Sequence, residues 1–289
     1  RGLLLAAGLW GAVGASAAWA VSYDNQLSFS SHYYKYSETN SKGGPVMAID
    51  GPMFGGHYRG RLNFDGGLFI DLVDISVYGS NILRYTSPVS GTRDNVVMLL
   101  VENRALLGYH GHWSDGGLHN ISFYTGGGYR YTSYYGVGKY TTKGAASYNR
   151  FNHMGYVPFG INYSFQKDQW LVGLQGEYDF FIGGRQESHF DHRFIDPNGL
   201  SRGEASSVNP WLNKQRNGYG MKFNLVVGYA GWFINPFINY WQIEASDFTQ
   251  RLLPLCNFLG KECDGGKISS RYEPANKTIE VGARIGYAF

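Results

Sequence analysis

Hydrophobic and polar positions alternate along much of this chain. In "TIEVGARIGYAF", residues 278–289, Ile279, Val281, Ala283, Ile285, Tyr287 and Phe289 fall on one face of an extended segment, and Thr278, Glu280, Gly282, Arg284, Gly286 and Ala288 on the other. A period of two is the signature of a strand. "WLVGLQGEYDFFI" sets Val172, Leu174, Tyr178, Phe180 and Ile182 against Gly173, Gln175, Glu177 and Asp179. "GYGMKFNLVVGYA" sets Tyr219, Met221, Phe223, Leu225, Val227 and Tyr229 against Lys222 and Asn224. In "HMGYVPFGINYSF", Val157, Phe159, Ile161, Tyr163 and Phe165 oppose Tyr156, Gly160, Asn162 and Ser164. Strands are predicted over 26–36, 46–63, 67–79, 95–112, 118–135, 151–165, 170–186, 216–230, 233–246 and 278–289.

The connections sort into two classes. "NFDGG", "WSDGG", "QKDQ" and "AGW" are tight turns of the kind hairpins prefer. The alternate connections are long: "SETNSKGGP", "SNILRYTSPVSGTRDN", "GVGKYTTKGAASYNR", residues 187–214 and residues 247–277. Short turns at one end and long loops at the other are the layout of an outer-membrane barrel, with lipid outside and a polar lumen inside. Backbone groups in lipid must pair internally, so such strands close on themselves. The expected architecture is all-β: a single antiparallel transmembrane β-barrel of about ten strands, with short periplasmic turns and long extracellular loops.

Composition sharpens this picture. Aromatic residues make up 17% of the chain, Tyr numbers 23 and Gly 41, which fits a barrel with aromatic girdles better than a helical enzyme. The net charge of +3 is small and dispersed, and argues against nucleic acid as a partner. The opening "RGLLLAAGLWGAVGASAAWA" has a positive first residue, an apolar centre and a small-x-small end at Ala18-Trp19-Ala20. It predicts a secretory signal peptide over 1–20, lacking its first few residues, and a barrel domain over 21–289. No apolar run long enough for a membrane helix follows. Cys256 and Cys263 in "LCNFLGKECDGG" read as a loop-closing disulfide in an exported protein. Two cysteines are too few for a structural zinc site, and neither a metal nor a cofactor is expected.

The ending "GYAF" resembles the terminal strand of bacterial outer-membrane proteins. That resemblance implies that Tyr287 and Phe289 form a signal for the barrel-assembly machinery. The strand count and loop pattern resemble the omptin-like ten-stranded barrels, which include surface proteases and an adhesin. "YGSNILRYTSP", "GGGYRYTSYYG", "GYVPFGINYSF", "GRQESHFDHRF" and "INPFINYWQIEASD" are similar to uncharacterised proteobacterial barrel proteins. The implied location is the bacterial outer membrane, and the implied surroundings are its lipid and lipopolysaccharide.

The predicted inward faces carry Arg59, Arg61, Glu102, Arg104, Arg130, Glu177, Asp179, Lys222, Glu280 and Arg284. Eight strands just enclose their own side chains, whereas porins with a wide aqueous channel need sixteen or more. Opposed charges in a narrow lumen are expected to pair and plug it. Omptin-type proteolysis needs an acidic pair facing an Asp-His pair. Asp191-His192 lies near the top of the seventh strand but without the omptin spacing, and Asp94 is the lone acid on the opposite wall. A lipid A deacylase set in "SFSSHYYKYSE", offered by Ser31, His32 and Glu38, fails because Ser31 and His32, as strand neighbours, point to opposite faces, while Ser30 shares the His32 face without a carboxylate at a matching position. His110 and His112 share a strand face, but no third metal ligand is evident. With no complete catalytic set, the sequence favours a non-enzymatic structural, surface-binding or adhesin-like role through the long loops, toward an unidentified extracellular ligand. The alternatives are a narrow porin-like channel for ions or small solutes and an omptin-like surface protease.

Overall fold

Unpaired backbone cannot face hydrocarbon, and the chain meets this constraint by wrapping one sheet into a ring. A computed structural model describes residues 21–189, 210–256 and 263–289, with the side chains of 251–269 excluded from the description. The predicted signal peptide lies outside these residues. The strands are β1 (Val21–Thr39), β2 (Pro45–Phe64), β3 (Leu68–Ser87), β4 (Gly91–Ser114), β5 (Leu118–Tyr135), β6 (Asn149–Lys167), β7 (Trp170–His189), β8 (Trp211–Gln215), β9 (Gly218–Tyr229), β10 (Trp232–Ile243), β11 (Thr249–Cys256), β12 (Cys263–Arg271) and β13 (Ala275–Ala288). Ten of them form the barrel. Each of the ten pairs antiparallel with its neighbours, β6 pairs with β7, and β1 pairs with β13 from Gln26↔Ala288 to Thr39↔Ala275. Phe289 locks the seam, exchanging backbone hydrogen bonds of 2.9 Å with Asn25 in both directions. β8 extends the line of β9 against the upper part of β7, and β11–β12 form a separate hairpin.

The tight turns fall where the alternation stops. In the two-residue turn between β9 and β10, Ala230 (φ 50°) and Gly231 (φ 85°) both adopt positive φ, the mirror-type geometry that matches strand twist. Two of the predicted long loops are largely strand. "SNILRYTSPVSGTRDN" continues β3 to Ser87 and starts β4 at Gly91, and "SETNSKGGP" contributes a tight turn over 40–44. Ile82, Leu83 and Arg84 alternate between faces there, so the hairpin extends above the membrane.

The outer surface marks the membrane. Trp170, Trp232 and Tyr287 form the lower edge of the exposed apolar band, with Ile182, the half-buried Tyr240 and Ile279 at its upper edge. From Trp232 to Tyr240 and from Tyr287 to Ile279 the lipid-facing stretch is nine residues, and on β7 the outward apolar row runs from Trp170 past Tyr178 to Phe180 and Ile182. A membrane strand needs about 9–11 residues. β4 has 24 residues and β3 has 20, so the barrel stands well clear of the bilayer on the loop side.

Above the upper edge the sense of the alternation reverses. Lys35, Asp50, Arg84, Gln242 and Lys277 point outward, while Tyr34, Tyr36, Ile49, Leu83, Trp241 and Ile243 point in. Below it the inward row reads Ser28, Ser30, His32 on β1 and Asn224, Lys222 on β9. Lipid outside demands one sense and water outside demands the other, so the reversal on β1, β2, β3, β10 and β13 marks the solvent boundary.

Candidate functional site

The lumen is the part of the molecule where charge concentrates, and it is layered. All ten sequence-predicted lumen residues sit on inward-facing positions. Eight of them take part in ion pairs. At mid-height, Arg104 donates to Asp74 (2.7 Å) and to both Glu177 oxygens (2.9 and 2.8 Å). Lys222 Nζ lies 2.7 Å from Glu102, 2.8 Å from Glu177 and 3.2 Å from Asp179. Arg130 pairs with Glu280 and, at 3.4 Å, with Glu102. Arg61 forks onto Asp71 with bonds of 2.5 and 2.9 Å. Arg59 and Arg284 have no carboxylate partner among the described residues. Arg284 instead donates to Asn235 (2.9 Å) and Asn224 (3.3 Å) with its guanidinium 4.3 Å from the Phe237 ring centre.

Cross-strand register builds this belt. Glu177 is opposite Lys222, Lys222 opposite Asn239, Asn239 opposite Glu280, and Glu102 opposite Arg130. Tyrosines complete it. Tyr124 OH donates to Glu177 (2.5 Å), and Tyr156 OH donates to Glu102. Each ring lies flat on an inward glycine of the neighbouring strand. A Cβ on Gly160 would stand 1.9 Å from the Tyr124 ring, and one on Gly128 2.1 Å from the Tyr156 ring. These two glycines make room for rings that deliver hydroxyls to buried acids.

Above the belt the lumen is filled with apolar side chains. Met53, Leu83, Val96 and Leu100 are each fully buried, in one cluster with Tyr34, Tyr78 and Met98. Met154, Tyr156, Phe181, Trp241 and Ile243 form a second cluster. At the top, Arg150 donates to Glu38 and, at 3.1 Å, to Glu273, whose other oxygen accepts from Gln186 (2.6 Å). Below the belt lies a cavity of about 420 Å³, whose lining reaches the turn-end residues Gln166, Gln169, Gly231 and Ala288. It therefore opens toward the periplasm and is roofed by the ion pairs.

Asp71, Asp74 and His57 belong to this lumen but are absent from the alternation reading. Asp71 and Asp74 are three apart and cannot share a face in a regular strand. A bulge at Leu72 and Val73, both exposed outward, brings both acids inside. His57 lies 3.0 Å from Asp74. Arg150 and Glu273 are absent from the alternation reading too, and Glu38, a candidate beside Ser31 and His32, instead joins the lumen ion pairs. Glu38 continues the inward row of Tyr34 and Tyr36, a signal hidden inside a segment read as loop.

The remaining sequence candidates fall elsewhere. Asp94 is exposed and lies 3.5 Å from Arg84. Asp191 and His192 lie outside the described residues. His32 is lumenal, packed edge-on to Tyr78 at 4.7 Å, and Ser31 faces outward, so the two do not meet. His110 stacks on Phe69 near the lower mouth while His112 is exposed. Cys256 and Cys263 face each other in the β11–β12 register; their side chains lie outside the description. Tyr287 faces lipid between Trp232 (5.2 Å) and Phe289 (6.4 Å).

No protein family profile and no curated protein matches the chain. Solved structures do. The outer-membrane protease OmpT of Escherichia coli superposes with a TM-score of 0.50 at 10% identity, covering 92% of this chain and 96% of that one. A TodX deletion mutant, described as a monoaromatic hydrocarbon channel, gives 0.35 at 9% identity over 92% and 90%. Ail, the attachment invasion locus protein of Yersinia pestis, gives 0.28 at 12% identity over 92% and 99%. At such identities the likeness to OmpT speaks for fold alone. Together with the closed ring and the exposed apolar band edged by Trp170, Trp232 and Tyr287, it makes this chain a ten-stranded β-barrel of the bacterial outer membrane.

Proposed function

We propose that this protein is a non-conducting outer-membrane barrel that works by surface binding through its extracellular segments, 136–148, 190–209 and 249–271. The observation that carries the reading is the filled lumen: an ion-pair belt and an apolar layer lie in series between the periplasmic cavity and the outside. A narrow channel is less well supported, because a solute would have to separate Lys222 from three carboxylates and then cross a packed apolar cluster. Proteolysis is less well supported too, because Asp94 is engaged with Arg84 on an exposed surface. What remains available is the rim, raised above the bilayer on strands twice the spanning length. A Cys256–Cys263 disulfide would stiffen the β11–β12 hairpin on that rim. Lipid and lipopolysaccharide around the band, and assembly machinery reading Tyr287 and Phe289, are the partners proposed beside an extracellular ligand. Residues 1–20 are proposed as the export signal.

The test replaces residues 249–271 by an Asn-Gly turn in cells that display the barrel. Adhesion to immobilised glycans and matrix proteins is expected to fall to background while the barrel keeps its heat-modifiable mobility. Unchanged adhesion would overturn the reading for this segment.

A further inference from the structure

The cavity below the belt has an electrostatic asymmetry that the structural plug does not require. Its lining carries five cations, Arg59, Arg61, Arg104, Lys222 and Arg284, against three carboxylates, Asp71, Asp74 and Glu102. Arg61, Arg104 and Lys222 are consumed by ion pairs. The excess therefore resides on Arg59 and Arg284. Arg59 makes no hydrogen bond or ion pair among the described residues, and its Nε is buried without an acceptor. Arg284 Nε is likewise buried without an acceptor.

The two arginines frame one wall. Arg59 is opposite Gln26 and Arg284 opposite Ser30, four positions apart along β1, so their backbones are separated by about 13 Å along the strand. Ser28 and Ser30, on the inward face of that stretch, carry hydroxyls that are also buried and unpartnered. Each faces a glycine on one side, Gly286 beside Ser28 and Gly55 beside Ser30, and on the other side His57 and Arg284 lie opposite without bonding to them. A guanidinium whose Nε is buried without an acceptor is left under-satisfied, and its planar fork matches an oxyanion. Asn224, Asn235 and the Phe237 ring hold Arg284 in place, so little is left to order on binding.

We propose that this periplasm-facing cavity is a binding site for a small anionic solute carrying phosphate or carboxylate groups, held by Arg59 and Arg284. The volume of about 420 Å³ suits a small molecule. The ion-pair roof makes the site a blind pocket, entered and left from the periplasmic side. The site is separate from the extracellular rim and does not depend on what the rim binds.

The experiment is isothermal titration of the refolded full-length barrel in detergent micelles with inorganic phosphate and, separately, with succinate. Binding of either anion or both is expected at millimolar concentrations. Arg59→Gln and Arg284→Gln are each expected to weaken it about tenfold or more, the loss of a charge-assisted hydrogen bond. Arg185→Gln, an outward residue above the band, is the control and is expected to leave it unchanged. Arg59 makes no described contact that folding needs, so its variant reads binding even if Arg284→Gln perturbs the wall. No heat from either anion, or binding indifferent to Arg59→Gln, would overturn the proposal.

Discussion

Replacing Lys222 by Met is expected to destabilise the folded barrel by about 3–5 kcal/mol, the cost of removing one partner from a buried ion cluster. Lys222 faces Glu102, Glu177 and Asp179 within 2.7, 2.8 and 3.2 Å. Glu102 keeps Arg130, and Glu177 keeps Arg104. Asp179 keeps no cation: Lys222 is its ion-pair partner among the described residues. The penalty should therefore concentrate on Asp179. Adding Asp179→Asn to Lys222→Met is expected to recover about 1 kcal/mol or more, a coupling within the range for contacting groups. Urea unfolding of the protein in lipid vesicles, followed by tryptophan fluorescence, measures both. If Lys222→Met costs less than about 1 kcal/mol, the size of a solvent-exposed pair, the belt is not the buried network described.

The second large effect is a pH dependence. Glu273 lies in the extracellular segment between β12 and β13, outside the lipid band. Burial pushes its carboxyl up to about 8, with nearby Glu38 adding to the rise and Arg150 opposing it. One arginine thus serves two carboxylates, Glu38 and Glu273. The sign follows from the proton count. Between the ordinary carboxyl value of 4.5 and about 8, the folded state holds a proton on Glu273 that the unfolded state has released. Stability contributed by this group is therefore lost as pH rises through that window, with a slope approaching about 1.4 kcal/mol per pH unit. Glu273→Gln keeps the shape and removes the proton. The difference between wild type and Glu273→Gln unfolding free energies is expected to grow steadily from pH 5 to pH 8 in favour of the variant. A difference that stays flat over this range would mean that Glu273 is already ionised in the fold from pH 5 to pH 8.

Alternation was enough to read the lipid-facing wall. On β7, Val172, Leu174 and Tyr178 face out while Gln175 and Glu177 face in, because lipid on one side and a polar lumen on the other impose a strict period of two. Three things escaped it. Asp71 and Asp74 needed a bulge, which breaks the period at Leu72 and Val73, and no turn residue announces it. The hairpin from Ile82 to Val96 reverses the sense of the alternation, so Leu83 looked like a stray apolar residue in a polar loop and Val96 like the mere start of a strand; both are fully buried core. Which lumen charges pair was also hidden. Arg104–Glu177 joins residues 73 apart in sequence, across the barrel, and such contacts depend on strand tilt and lumen width. The apolar filling of the upper lumen follows from the same reversal, and it turns a narrow tube into a closed one.

Occlusion is the claim on which the functional reading stands, and single-channel recording of the refolded barrel in a planar bilayer tests it most directly. Protein shown by protease protection to be inserted is expected to give a silent baseline at both polarities. Steady, ion-selective openings would contradict the account, because ions could pass only if the Lys222 and Arg130 belt and the Met53, Leu83, Leu100 layer were open in the membrane.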